Sequence, residues 1–214
     1  MKSFLIIGLG SLGHHLCYEL SKSECEIMVA DIDPLAVEDL LHIVVSAKVG
    51  DCTNVEMLKS LGIEDFDTCF VCIEDYFQAC LEITDLLKEL GAKKIYSVAN
   101  RDIEEKFLLR CGADKIIYPE KDITSRIAAI ENGNNIFDFI SLSADCSIYE
   151  IEPNKNWIGK TVLDLDFRNR YNLNIVAVKS NGHISQINPA EYVFSPDEHL
   201  LVLGSTEDLK KALK

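Results

Sequence analysis

Six residues near the start, Gly8-Leu9-Gly10-Ser11-Leu12-Gly13, form a GxGxxG pattern. Glycines at this spacing let the chain turn tightly and bring its backbone against a bulky anion. A helix beginning there points free N–H groups and the positive end of its dipole at that anion. The pattern alone is weak, but its context is specific. The apolar run Phe4–Ile7 precedes it, the amphipathic stretch Leu12–Ser21 follows, and Asp31 stands 18 residues beyond Gly13 at the end of a second apolar run. A carboxylate in that place can accept from ribose hydroxyls. Gly8, Gly10, Ser11, Leu12, Gly13 and Asp31 are therefore candidate ligands of an adenine nucleotide (ADP, ATP or AMP) or NAD(H). The alternative is a glycine turn that binds nothing. Asp33 competes with Asp31 for the ribose, while Asp33-Pro34 also reads as a helix cap. Gly50-Asp51-Cys52-Thr53 follows the third apolar run, which places Asp51 and Cys52 to flank an adenine; it also reads as a turn in which Thr53 caps the next helix.

Catalytic chemistry is much less visible. Tyr18 and Lys22 have the Tyr-x-x-x-Lys spacing of short-chain dehydrogenases, but they lie on the helix just behind the glycine loop and read as an ordinary helix face. The histidines His14, His15, His42, His183 and His199 form no acid–base constellation. His14 and His15 are adjacent on a helix and diverge by about 100°. Cys69 and Cys72 make a CxxC inside the run Thr68–Ile73, where strand residues three apart face opposite ways, so the pair reads as packed thiols. A nucleotide site without a catalytic set points to sensing. An NAD(P)-dependent oxidoreductase and a free-standing nucleotide-sensing module acting on another protein are the alternatives.

The elements that must hold these residues alternate. Apolar runs at Phe4–Ile7, Ile27–Ala30, Val44–Val49, Thr68–Ile73, Lys94–Val98 and Lys115–Tyr118 read as six strands. Between them Leu12–Ser21, Pro34–His42, Val55–Leu61, Phe77–Leu90 and Ile103–Cys111 read as helices, three of them followed by Gly62, Gly91 and Gly112. Buried strands alternating with Gly-terminated helices make a Rossmann-like α/β fold, a doubly wound parallel sheet. Pro119 opens a further helix to about Ile130. Beyond the break at 131–135 the pattern changes to a second, smaller α+β domain. Ile136–Ile140 reads there as a short helix, Ser147–Pro153 as a strand and Val162–Tyr171 as a helix. Asn174–Lys179, Ile184–Ile187 and Leu200–Leu203 read as strands, and Thr206–Leu213 as a helix. The predicted domains are 1–134 and 135–214.

Composition agrees. The 214 residues carry 35 Asp+Glu against 21 Lys+Arg, a formal charge of −14, which argues against a nucleic-acid binder. The chain is 48% hydrophobic and 26% charged, an ordinary globular balance. No apolar run approaches the roughly 18 residues that span a bilayer. Met1–Leu9 mimics a short signal peptide but lacks a small-x-small cleavage site, so it reads as the first strand of a cytoplasmic protein. Eight cysteines in a chain this long do not suggest a disulfide scaffold.

Gly8–Gly13, Asp31, Gly50-Asp51-Cys52-Thr53, Leu61-Gly62 and the stretch Gly112-Ala113-Asp114-Lys115-Ile116-Ile117-Tyr118-Pro119-Glu120-Lys121-Asp122 together resemble the KtrA/TrkA-type regulator-of-potassium-conductance (RCK) subunits. In these a TrkA-N domain is followed by a TrkA-C domain. The resemblance implies a non-enzymatic gating subunit of a potassium-uptake system, docked on the cytoplasmic face of a membrane potassium transporter subunit. It implies homodimers paired across a crossover helix, here about Pro119–Ile130, and assembled into a ring, commonly an octamer. Adenine nucleotide or NAD(H) would bind the crevice and change the ring's shape. Glu120 matches a family glutamate that can bind a divalent cation between subunits, though acids in a first helical turn also simply favour the dipole.

Two departures from ATP-responsive members stand out: Ser11 replaces an Arg of the glycine loop, and Val98 replaces a Lys at the end of the fifth strand. Both cations would meet a terminal phosphate. Glu74 and Asp75 add negative charge nearby; Arg101 could supply one cation there, and a surface salt bridge is the equal alternative for it. In the second domain Val162, Leu163, Asp166, Arg168, Asn174, Ile175 and Val176 resemble the cyclic di-AMP motif of potassium-transporter C-terminal domains. Arg168 would pair with phosphate, Asn174 would bond an adenine edge, and the apolar residues would form walls. The alternative is an amphipathic helix and a core strand, with Arg168 paired to Asp164 or another acid.

Overall fold

The computed structural model describes residues 1–132, 135–143, 145–189 and 191–213. The chain divides into two compact units, Met1–Lys121 and Asp122–Lys214.

In the first unit the elements are β1 (Lys2–Ile7), α1 (Ser11–Ser21), β2 (Cys25–Asp31), α2 (Pro34–Leu40), β3 (Ser46–Val49), α3 (Val55–Lys59), β4 (Thr68–Val71), α4 (Phe77–Glu89), β5 (Ile95–Val98), α5 (Asp102–Arg110) and β6 (Lys115–Ile117). The strands lie in the order β3-β2-β1-β4-β5-β6, all parallel. This is the doubly wound parallel sheet that the alternation predicts. The central strands are apolar on both faces because helices cover both. Leu5 and Ile7 pack with Ile83 and Leu87 of α4, and Ile6 packs on the other face with Cys17 of α1 and Val37 of α2. Cys69 and Cys72 divide between these two cores, as strand alternation requires. Burial pushes each thiol up to about 12, so both stay protonated at neutral pH, and their places in different cores match the reading as packed thiols. Gly62, Gly91 and Gly112 have φ of 71°, 82° and 106°, the left-handed stops expected after helices.

α6 (Pro119–Asn132) continues from β6, and the boundary between the compact units falls inside it. The predicted boundary at 134/135 lies partly outside the described residues. The second unit holds β7 (Ile136–Ser143), β8 (Cys146–Ile151), α7 (Phe167–Tyr171), β9 (Asn174–Ser180), β10 (His183–Ser185), β11 (His199–Gly204) and α8 (Thr206–Ala212). Its antiparallel sheet runs β10-β9-β11-β8-β7. Trp157, Phe167 and Phe194 pack against one another in its core. Glu150 of β8 is nearly buried. It accepts from Lys179 Nζ of β9 at 2.7 and 2.9 Å and lies 2.7 Å from His199 Nδ1 of β11, tying three neighbouring strands together. Burial alone would raise its carboxyl, but these bonds and charges outweigh it and the net shift is downward.

Two predicted helices fail here. Ile136–Ile140 belongs to strand β7, paired antiparallel with β8. Five residues are too few for periodicity to separate helix from strand, and the β-branched and aromatic content suits a pleated surface. Val162–Tyr171 is helical only from Phe167. Before it, Thr161 and Asp164 exchange bonds: Thr161 N donates to Asp164 Oδ2 at 2.9 Å, and Asp164 N donates to Thr161 Oγ1 at 3.0 Å. Asp166 then takes the left-handed conformation at φ 45°, which ends any continuous helix. The strand expected at Ile184–Ile187 forms at His183–Ser185.

Candidate functional site

The strand order reverses between β1 and β4, and at their carboxyl ends lies a crevice of about 480 Å³, within the range of small-molecule sites. Gly8 and Gly10 form its floor, Asp31 ends β2 with Ile32 just beyond it, Gly50–Thr53 lie beyond β3, and Glu74–Tyr76 beyond β4. Gln78, Ala79 and Glu82 of α4 close it.

The three loop glycines do different things. Gly8 sits at φ +89°, and a Cβ there would lie 2.8 Å from the Cys72 carbonyl oxygen. A Cβ on Gly13 would overlap the Gly8 carbonyl oxygen, so Gly13 lets α1 press against the loop. Gly10 has ordinary φ, and a Cβ there would meet only Glu74 Oε2, at 3.6 Å across the crevice. Gly8 and Gly13 therefore serve the packing, and Gly10 serves the open space. Gly10 is also the N-cap of α1 and, lacking a side chain, leaves the first-turn N–H groups uncapped. Ser11 is exposed at the first position of α1, while Leu12 packs toward the core.

Asp31 is held in place by the loop it serves. Its Oδ2 accepts from Leu9 N at 2.5 Å and its Oδ1 from Asp33 N at 2.8 Å. Each oxygen keeps a further lone pair, so the carboxylate can still accept from a ribose. Asp33 does not line the crevice: it caps α2, accepting from Leu35 N at 2.9 Å. Of the two readings for Asp33, the cap is the one the structure bears out. Asp51 accepts from Thr53 N and Oγ1 at 2.9 and 2.7 Å, and the Thr53 hydroxyl leads the causes that hold its carboxyl below the usual range. The cap of α3 is Asn54, not Thr53. Cys52 is 4% exposed; burial, with Asp51 and Asp31 adding to it, pushes its thiol up to about 12.

Arg101 is not among the crevice residues. Its Nε donates to Glu104 Oε1 at 2.7 Å, and Glu104, 5% exposed, also accepts from Asn100 N at 2.9 Å. Asn100 in turn donates to the Glu74 carbonyl at 2.6 Å. Of the two readings for Arg101, the structure shows the salt bridge, placed behind the loop beyond β4. Sequence reasoning missed Glu104 as the buried acid of this salt bridge, along with Ile32, Tyr76, Gln78 and Glu82. Their signal is positional only: they follow the strands that flank the switch point. The lining holds Asp31, Asp51, Glu74, Asp75 and Glu82 and, among the described residues, no Lys or Arg. Val98 is buried, as its apolar character requires.

In the second unit the seven motif residues divide. Asn174 and Val176 are exposed on one face of β9, whereas Ile175 points to the other face and packs on the core. Ile175 and Val176 therefore cannot form one wall. Leu163 is 65% exposed, Val162 packs inward, and Asp166 accepts from Asn169 Nδ2 at 2.7 Å. Arg168 is exposed, and Asp164 serves Thr161 rather than Arg168. Glu120 occupies the first turn of α6, and among the described residues no group of three His, Cys, Asp or Glu is placed to share an ion. Among them, too, no helix is long and apolar enough to cross a membrane.

An uncapped helix N-terminus over a crevice at the switch point of a doubly wound sheet, followed by a small antiparallel domain, defines the class: a two-domain chain with a Rossmann-like first domain. The TrkA-N domain family matches residues 4–119, and the TrkA-C domain family matches residues 146–214. Ktr system potassium uptake protein C of Bacillus subtilis (strain 168) is 39% identical over 98% of this chain and 95% of its own length. Ktr system potassium uptake protein A of the same organism is 33% identical over the same shares. Among solved structures, the GsuK channel bound to NAD has a TM-score of 0.68 at 19% identity, over 99% of this chain and 38% of that longer one. The chain belongs to the family of Ktr potassium uptake proteins, with a TrkA-N domain followed by a TrkA-C domain. These relatives are potassium uptake proteins and RCK domains rather than enzymes, in agreement with the expectation of a non-catalytic chain.

Proposed function

We propose that this chain is the cytoplasmic ligand-sensing subunit that gates a membrane potassium transporter, with adenine nucleotide or NAD(H) in the crevice as its signal. The observation that carries the reading is the crevice itself: uncapped α1 N–H groups at Gly10 and a ribose-competent Asp31, with no acid–base set. The Ktr names of the relatives and the NAD of the GsuK channel support it. Residues 1–134 act as the nucleotide domain, with α6 as the arm across which two chains pair and dimers close into a ring, probed as an octamer by mass. Glu120 holds a divalent cation in that pairing, where a second copy supplies further oxygens. Ligand binding moves the gate only through unequal affinity for two ring shapes.

Five carboxylates and, among the described residues, no lining cation make the crevice a poor host for a terminal phosphate. Calorimetric titration of the full chain should give NAD(H), AMP and ADP binding, with ATP preferred over ADP by less than ten-fold. ATP binding a hundred-fold tighter, about 2.7 kcal/mol, would overturn this selectivity.

For the second domain, cyclic di-AMP binds between two copies, with Arg168 on its phosphate and Leu163, Asn174 and Val176 on the shared exposed surface. Arg168→Ala should weaken that binding about ten-fold or more. Equal affinity of wild type and variant, or no binding at micromolar cyclic di-AMP, would leave the motif as packing alone.

A further inference from the structure

The second unit contains another cavity, of about 360 Å³, between the loop Asn154–Lys160, α7 and α8. Its charge is opposite to that of the nucleotide crevice. Lys160, Arg170 and Lys211 line it, with Asn154, Asn156, Trp157 and Tyr171, and no described carboxylate does. Three cations around one hollow whose described lining holds no carboxylate are unexpected in a chain of charge −14, because like charges gathered there repel unless an anion joins them.

The surroundings hold these groups in place. Lys160 Nζ donates to the Asn156 carbonyl at 2.8 Å, which keeps its ammonium at the loop. The Arg170 guanidinium stands 5.4 Å from the Tyr171 ring centre, so its planar fork is braced by an aromatic face. Tyr171 accepts from Trp157 Nε1 at 3.0 Å and keeps its own O–H to donate. Lys211 Nζ donates to Asp208 Oδ1 at 3.3 Å, while Asn172 and Ser205 bond the other oxygen, Oδ2, so this carboxylate outside the lining offsets one of the three cations and leaves two for an anion. Arg168 is two positions from Arg170 and so about 200° away around α7. The cavity is therefore separate from the cyclic di-AMP motif, which does not use Lys160, Arg170, Lys211 or Trp157.

We infer that this cavity is a second anion site, for a small, freely diffusing phosphate-bearing molecule of high charge. A multiply charged tetrahedral oxyanion accepts from several cations at once, whereas a single carboxylate would leave one of the two remaining cations without a countercharge.

Trp157 is the chain's one tryptophan and lines the cavity, so its fluorescence reports on the site directly. The test is titration of the full chain with inorganic pyrophosphate at low salt, followed by calorimetry and by that fluorescence. Saturable binding of one anion per chain is expected, weakening as salt rises and persisting in Gly10→Val, whose glycine loop is blocked. The double substitution Arg170→Gln/Lys211→Gln, at two exposed side chains, should weaken it at least ten-fold while Arg168→Gln leaves it unchanged. Absence of saturable binding at millimolar pyrophosphate would overturn the site. So would equal affinity in the double variant, or loss of binding in Gly10→Val, which would move the anion to the other crevice. Co-flotation with anionic phospholipid vesicles that pyrophosphate does not reverse would assign the cations to a membrane surface and overturn the small-molecule reading.

Discussion

Replacing Gly10 with valine is expected to leave a folded protein that no longer binds adenine nucleotide. Gly10 has φ −61°, which any residue adopts, and the first atom added to it would meet nothing nearer than Glu74 Oε2 at 3.6 Å. The isopropyl group therefore extends into the crevice instead of into the core. It stands where a pyrophosphate must approach the uncapped N–H groups of α1, and those N–H groups act only at hydrogen-bond distance. Affinity should fall at least a hundred-fold, about 2.7 kcal/mol, with the thermal transition of the first unit within a few degrees of wild type. Titration and calorimetric melting of the same sample decide it. Undiminished binding by the folded variant would remove the nucleotide from this crevice.

Gly13→Ala should do the reverse, costing stability before it costs binding. A methyl group at Gly13 overlaps the Gly8 carbonyl oxygen and stands 3.3 Å from Cys72 Cβ. Neither neighbour is the movable end of a long side chain. Gly8 is already committed to φ +89°, and Cys72 is buried in the same core as Ile6 and Phe70. Relief requires α1 to move off β1 and β4, opening the core around Cys17 and Val29. Overpacking of this kind costs about 3 kcal/mol, a fall of roughly 6–12 °C in melting temperature for a chain of this size. A Gly13→Ala variant that melts with the wild type would mean that α1 tolerates displacement and that the loop is not held from behind.

The same contrast separates what could be read from the residues and what could not. The parallel, doubly wound sheet of the first unit follows from alternation, because a strand, a covering helix and a right-handed crossover leave few ways to build a parallel sheet, and the tertiary structure then sets the strand order. The places of GxGxxG and Asp31 are legible for the same reason: local structure sets the loop after the first strand and the end of the second. Asp33 and Thr53 were ambiguous because a short polar side chain caps a helix or meets a ligand with equal ease, and a few ångströms decide which. Asn54 took the cap at α3, and Asp33 kept the one at α2. Arg101 reads equally as a crevice cation or as half of a salt bridge, and the structure gives the salt bridge, because Glu104 stands one helical turn away and its burial depends on packing. Ile136–Ile140 was misread because a short apolar run becomes a strand only if another strand lies alongside, and β8 does.

By itself, then, the sequence determined the local grammar of this protein: which runs are strands, where glycine must end a helix, where a phosphate can meet backbone N–H groups, and which family pattern those features fit. Only the tertiary structure decided the sign of each pocket. Asp31, Asp51, Glu74, Asp75 and Glu82 are spread over 52 positions of chain, and Lys160, Arg170 and Lys211 over 52 positions, yet each set lines one hollow. Electrostatic character falls off with distance in space and is blind to separation along the chain, so it exists only once the strands and helices have brought those charges together.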